Sequence, residues 1–439
     1  MAKHTAPTGA TEASAPKATI DPGATHSRAR SSAAPAFARS KKHAPSHAAP
    51  RGRLGIVLRS LGLIVLAASL MGGTAFGTIY AKLQSNIEQH EIVRAAPTKP
   101  RPAPVVPIDK KAGQPLNILI LGSDERPADS GEGVSGMRSD TAMVAHISAD
   151  RKRIDVISIP RDTLVTIPSC VVGSWDGSSW NSYEQYNAMF NSAFMVGGQN
   201  GDVGSAASCT LATIEEMSGV LIDGFVVANF YAFKSIVDTL DGVDMCFNQD
   251  IGDTDSGLEV TAGCHTLDGE QALALARARH GIGDGSDLSR IGRQQELVYQ
   301  LIAKIMKLNV LTDSAKFYQI AAAITQNLDT SQGLGDLSFL AGLAYSLKDI
   351  DMENGVHFFT LPIYSDPDDP NRVRARGSAD FVWQALREDT PVPASALDEM
   401  RTQEEVVVNN RQPVDPPAEE ETTDSTDGET SDSGETPDQ

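Results

Sequence analysis

Residues 116–127 read LNILILGSDERP. An unbroken apolar run of this length, cut off by glycine and then by charge, has the pattern of a strand buried on both faces. Asp124 and Arg126 leave its end. Comparable runs follow at 141–148 (TAMVAHIS), 154–159 (IDVISI), 225–230 (FVVANF) and 356–361 (VHFFTL). Between them lie helix-like stretches such as YAFKSIVDTL, GEQALALARA, GRQQELVYQLIAKIM and SADFVWQALRE. Apolar runs interleaved with amphipathic helices predict an α/β domain over residues 116–390, a layered α-β-α sandwich with helices on both faces of a mixed central sheet.

Upstream of this domain, residues 60–81 (SLGLIVLAASLMGGTAFGTIYA) carry no charge. As a helix they would span about 33 Å, enough for a bilayer core, so one transmembrane helix is expected. Residues 1–59 hold ten Lys or Arg against two acidic residues and few large apolar ones, the composition of a disordered basic tail. Arg51, Arg53 and Arg59 crowd the N-terminal side of the anchor, which predicts a cytoplasmic N-terminus and an extracytoplasmic domain. Residues 82–115 read as a short helix and a Pro-rich stalk. Residues 391–439 read as an acidic disordered tail that carries much of the net charge of −20, so that charge says little about a site. The four cysteines, Cys170, Cys209, Cys246 and Cys264, all follow the anchor and predict two disulfides. Pairing Cys170 with Cys209 and Cys246 with Cys264 closes the shorter loops. A zinc site is the alternative, with no C-x-x-C spacing to support it.

The chemistry gathers at strand ends, where side chains leave a sheet toward a ligand crevice. Asp124 and Arg126 follow the first strand, Arg138 and Asp140 precede the second, and Arg161 and Asp162 follow the third. Farther on, LDGEQALALARARHGIGDGSDLSRIGRQQ supplies Arg277, Arg279, Asp287, Arg290, Arg293 and Gln294. On extended chain, alternation would point Arg277 and Arg279 to one side. Arg290 and Gln294 share a helix face near an N-terminus that favours anions. Arginine stays charged and matches two phosphate oxygens with its planar fork, so the set predicts a polyanion such as a pyrophosphate. Asp124 and Asp140 suit a hard divalent cation beside phosphates, and Mg²⁺ (or Mn²⁺) is expected there. There is no G-x-x-x-x-G-K-[ST], H-E-x-x-H or G-x-S-x-G. His146, His265, His280 and His357 are scattered and read as packing or surface residues. Trp175, Trp180 and Tyr183 fall in a loop rich in Gly and Ser, either as a packing cluster or as a glycan-contacting rim.

At these residues the chain resembles the LytR-CpsA-Psr family of cell-wall glycopolymer transferases. The resemblance runs from about Leu116 to Arg387 and rests on LGSDERP, GMRSDT, ISIPRDTLVTIP, FNSAFMVGG, VDTLDGVDM, LDGEQALALARAR and DLSRIGRQQ, in the family's order. It implies a domain that takes a polyprenyl-pyrophosphate-linked glycan and moves the phosphoglycan onto a peptidoglycan hydroxyl, usually the 6-hydroxyl of N-acetylmuramic acid. Polyprenyl phosphate would be the leaving group. Carried over, Asp124 and Asp140 would hold the metal. Arg138, Arg161, Arg277, Arg279 and Arg290 would bind the pyrophosphate, with Asp287 and Gln294 completing the pocket and Asp287 a candidate general base. Met189, Phe190, Asn191, Asn229 and Asp241 depart from the family's pattern without removing any of these residues.

The implied partners are the lipid-linked glycan, peptidoglycan and the membrane. A pyrophosphatase on the same lipid and a non-catalytic wall scaffold are the alternatives. The lack of a helix-turn-helix pattern and the expected export argue against nucleic acid.

Overall fold

The computed structural model describes residues 53–95, 113–124, 137–173, 178–279, 286–308 and 314–396. Arg126, His280, Trp175, the Pro-rich stretch and most of both expected tails lie outside these.

Helix α1 runs Arg53–Asn86. Its stretch Leu61–Asn86 has a mean hydropathy of 1.7 with none of its apolar window buried, and it is long and apolar enough to cross a membrane once. The helix continues past the uncharged run because its last turn has packing of its own. Leu83 is buried, and the Gln84 side-chain amide donates to the Gly335 carbonyl at 2.8 Å while its oxygen accepts from the Leu337 N–H at 3.0 Å.

Among the described residues the main sheet has seven strands, numbered in chain order: β1 Glu88–His90, β2 Leu116–Ser123, β3 Ser139–Ile147, β4 Ile154–Ser158, β5 Gly224–Asn229, β6 Leu328–Ser331 and β7 Val356–Thr360. Their spatial order is β1-β6-β5-β2-β3-β4-β7. The pairs β1·β6, β5·β2 and β4·β7 are parallel, and β6·β5, β2·β3 and β3·β4 antiparallel. The mixed sheet follows. Its directions bring the C-terminal ends of β2, β4, β5 and β7 and the start of β3 to one edge, where the charges of the sequence gather.

Alternation along the strands fills both faces. On one, Leu119, Leu121, Val144, Ile157 and Phe225 pack with Phe194, Leu211, Ile214 and Trp383 from α2 (Ser192–Gly197), α3 (Val203–Ser218) and, farther along the chain, the helix Ala379–Glu388. On the other, Met143, Ala145, Val156 and Phe358 meet Val298 and Tyr299, while Leu116 and Ile147 meet Phe339 and Leu343. A second apolar cluster joins α4 (Phe230–Thr239), α5 (Gly269–Arg277), α6 (Asp287–Met306) and α7 (Ser314–Asn327) through Val237, Leu275, Leu297, Leu301 and Ile320. The helices Leu337–Ser346 and Ala379–Glu388 complete the series as α8 and α9.

Two segments differ from the sequence reading. Residues 88–95, expected within the short helix and the start of the Pro-rich stalk, include the edge strand β1 and a strap along α3: Val93 N–H donates to Ser208 Oγ at 3.1 Å, and Arg94 forms a two-bonded pair with Glu215. A three-residue polar strand has no readable period, and its partner β6 lies far along the chain. At the other end, Val392 and Ala396, expected in the acidic tail, are buried in the main core. Disulfides join Cys170 to Cys209 and Cys246 to Cys264. The first fastens the loop after Ile167 to α3, and the second cross-links the hairpin Val243–Phe247 with Gly263–Leu267, where Cys246 and Cys264 are direct partners.

Candidate active site

The site is built at the charged edge of the sheet. After β4, Pro160 ends the ladder and Arg161 turns back over the strand ends. Its Nη1 donates to Asp140 Oδ2 at 3.1 Å, and its Nε lies 3.4 Å from Asp162 Oδ2 and 3.3 Å from Asp287 Oδ1. Burial works against the charged guanidinium, but Asp140, Asp287 and Asp162 together outweigh it and hold its pKa above the ordinary value. Arg161 is therefore a fixed cation.

Helix α6 supplies the facing half. Ser286 caps it by accepting from the Ser289 N–H at 3.1 Å, which places Asp287 at the first helical position and Arg290 one turn on. Arg290 is only 4% exposed and ion-pairs with Asp287. Burial lowers its pKa against the pull of Asp287, though a guanidinium stays charged at any physiological pH. Burial also raises the pKa of Asp287. Arg290 and then Arg161 act against that rise, while Asp162 and Asp140 add to it.

Several contacts here reach ion-pair distance without hydrogen-bond alignment. Among the described residues, Arg161 Nε, Arg290 Nε and Nη2 and Asp287 Oδ2 are buried without a hydrogen-bond partner. Each such group costs about 1–3 kcal/mol when left unfilled. Gathering the three guanidinium nitrogens at one sheet edge suits a site that an anion's oxygens complete, while the Asp287 oxygen suits a hydroxyl donor.

The other expected residues divide. Arg279 is half exposed, with Nη2 3.9 Å from Asp140 Oδ2 and its backbone N–H donating to Asp253 Oδ2 at 2.7 Å. Arg277 is the last residue of α5 rather than part of an extended pair, and its guanidinium lies over the Phe230 ring at 5.0 Å. Phe230 opens α4 directly after β5, so Arg277 stands at the same edge. Arg138 is exposed. Its backbone N–H donates to Asp124 Oδ1 at 2.8 Å, and the Asp124 N–H returns a bond to its carbonyl at 3.1 Å. Asp124 thus caps the strand end, with its other oxygen outside that bond.

Arg293 and Gln294 face the protein. Arg293 is buried, donating to Ser289 Oγ at 2.7 Å and to the Ala278 carbonyl at 2.6 Å, and Gln294 donates to the Ala276 carbonyl at 3.1 Å. They hold the segment carrying Arg277 and Arg279 against α6. His146 bonds Asn117 and Asp389, and His357 bonds Asp155, so both are packing residues.

Two contributors escape sequence reading. Gln295 is buried and ties α6 to β4 and β7 through Ser158 Oγ at 2.8 Å and the Phe359 carbonyl at 3.0 Å. Arg372 lies 3.8 Å from Asp162 Oδ1 and extends the charge network. The alternating arginines of NRVRARG were its available signal.

A family model, the LytR_cpsA_psr family, matches residues 76–385. The chain belongs to this family. The Bacillus subtilis polyisoprenyl-teichoic acid–peptidoglycan teichoic acid transferase TagT is 31% identical over 261 residues, covering 56% of this chain and 72% of that protein. The cell wall biosynthesis protein LcpA of Corynebacterium glutamicum is 27% identical over 314 residues, covering 64% of this chain but 58% of its own length. Among solved structures, a LytR-Csp2A-Psr enzyme from Actinomyces oris shares 20% identity with a TM-score of 0.47, covering 69% of this chain and 96% of that one.

Proposed function

We propose that this LytR_cpsA_psr member is a membrane-anchored transferase that moves a phosphoglycan from a polyprenyl-pyrophosphate carrier onto a peptidoglycan hydroxyl. The observation that carries the reading is the gathering of Arg161 and Arg290 about Asp287, with buried guanidinium nitrogens that make no hydrogen bond. The relatives named as teichoic acid transferases support it. In this reading α1 crosses the membrane with its N-terminus in the cytoplasm and the domain outside.

Phosphoryl transfer asks mainly for positioning and charge neutralisation. Arg161, Arg290 and Arg279 would grip the pyrophosphate, with Arg277 and Arg138 at the rim. The acceptor oxygen forms a bond to the glycan-bearing phosphorus, the bridging P–O bond breaks, and polyprenyl phosphate leaves. The hydroxyl proton passes to Asp287, whose raised pKa suits it to receive one. Asp140, partly exposed beside Arg161 and Arg279, and the free oxygen of Asp124 are a donor set that fits a hard divalent cation. Mg²⁺ or Mn²⁺ held there would supply further neutralisation of phosphate charge.

The test is release of polyprenyl phosphate by the full chain in detergent, with and without a peptidoglycan acceptor. Release that depends on acceptor supports transfer. Equal release with water alone favours a pyrophosphatase.

A further inference from the structure

Along the chain from the charged site stand three exposed rings that the donor chemistry does not use. Residues 180–187 read WNSYEQYN. Trp180 is 45% exposed, Tyr183 90% and Tyr186 69%. Single exposed rings need no explanation, but three within seven residues, on a stretch so firmly held, call for one.

The stretch is pinned from below. Ser182 accepts from the Cys170 N–H at 3.0 Å through its hydroxyl and donates its own N–H to the Cys170 carbonyl at 2.8 Å, while Ser169 Oγ donates to the Ser182 carbonyl at 2.8 Å. Cys170 is in turn bonded to Cys209 of α3. Tyr186 lies in the strand Gln185–Met189, paired with Leu164–Ile167, and its hydroxyl donates to Glu184 at 2.6 Å. Its neighbour Asn187 has a φ of 49° and accepts from Arg374 Nη1 at 3.2 Å.

This ribbon grows directly out of the crevice. The Asn191 N–H donates to the Arg161 carbonyl at 3.1 Å and the Phe190 N–H to the Thr163 carbonyl at 2.8 Å. The strand Leu164–Ile167 carries the ribbon from the Arg161 turn to Ile167, the partner of Gln185. At strand rise that is about 13 Å of chain. A ligand lying along the ribbon therefore ends at the phosphate crevice.

We infer that this face is the acceptor subsite, and that it takes a chain of hexosamine sugars. The inference rests on the transferase reading and adds where its second substrate lies. Rigid rings offer flat contact at low entropic cost. Here they alternate with Asn181, Glu184, Gln185 and Asn187, the amides and carboxylate that sugar hydroxyls and acetamido groups bond. A membrane surface would favour Lys, Arg and aliphatic side chains in those places, and the stretch has none.

The experiment is calorimetric titration of the full chain in nanodiscs with soluble, peptide-free strands of alternating N-acetylglucosamine and N-acetylmuramic acid, without lipid donor. Wild-type chain binds saturably. Tyr183→Ala and Tyr186→Ala each weaken binding roughly tenfold, and Tyr186→Phe, which keeps the ring, binds as wild type. Tyr183 is so exposed that its removal leaves the fold intact. No glycan binding by the wild type, or wild-type affinity in both alanine variants, overturns the subsite. Hydrogen exchange at 180–187 slowed by nanodisc lipid and unchanged by glycan assigns the face to membrane and overturns it as well. Because donor is absent, the outcome is separate from transfer: glycan binding with water-only cleavage contradicts the transferase reading, and active transfer without it contradicts the subsite alone.

Discussion

The guanidinium of Arg161 reaches from the end of β4 to the first residue of α6, its Nε 3.3 Å from Asp287 Oδ1. One side chain thus links the sheet edge to the helix that carries the deepest arginine.

Replacing Arg161 should show whether its fork or only its charge matters. Lysine keeps the charge but cannot serve Asp140, Asp287 and a phosphate at once. Arg161→Lys is expected to lose transfer by on the order of 100-fold or more, close to Arg161→Ala. Near wild-type turnover in the lysine variant would contradict the role.

The pH profile should report Asp287. Burial, and then Asp162 and Asp140, raise its pKa above the usual carboxylate range despite Arg290 and Arg161. Transfer that needs the ionised form falls as pH drops through that raised value. Arg290→Gln removes the strongest influence lowering it, so the residual activity should fall off at higher pH. An acidic limb that stays where it was would detach Asp287 from the reaction.

How much of this was legible depends on how local each feature is. The strands at 116–123, 139–147 and 154–158 were readable because both of their faces are buried and they run apolar almost without a break. Arg161, Asp287 and Arg290 were readable because a proline and a helix start fix where their chain leaves the core. An extended pair of Arg277 and Arg279 required the helix to stop before Arg277, and α5 runs one residue further, through it. Arg293 is on the polar side of any sequence pattern, yet the Ala278 carbonyl and Ser289 draw it inward. β1 was hidden because its pairing partner, Asp329 opposite Glu88, is set only by the tertiary fold.

That strand provides a pH test outside the site. Donation from His90 Nε2 to the Asp329 carboxylate raises the pKa of His90, burial opposes it, and the charges of Asp329, Glu88 and Asp202 add to the rise. A raised histidine contributes its stability fully below its unfolded value and loses it as pH climbs through the raised one. Hydrogen exchange across 88–94 should therefore quicken from mildly acidic to alkaline pH beyond the intrinsic rate change. His90→Gln should abolish that extra dependence, and an unchanged profile would refute a stabilising role for the His90–Asp329 pair.

Gly204 tests the same contact from the helix side. A Cβ there would lie 2.8 Å from His90 Cβ and 2.9 Å from its Nδ1. Alanine gains up to about 1 kcal/mol of helix propensity over glycine. The overpacking costs about 1–3 kcal/mol, so the clash wins. Gly204→Ala should lower the melting temperature, and a rise would mean that the strap gives way freely.

The central claim is that the crevice of Arg161, Arg290 and Asp287 transfers a phosphoglycan to peptidoglycan. Its most direct test is mass analysis of muramic acid residues after the full chain meets lipid-linked glycan, divalent cation and peptidoglycan. The expected result is muramic acid heavier by one phosphoglycan, formed by wild type and lost in Arg161→Ala. Glycan phosphate released into solution with unmodified muramic acid, or an Arg161→Ala chain that still modifies it, would contradict the account.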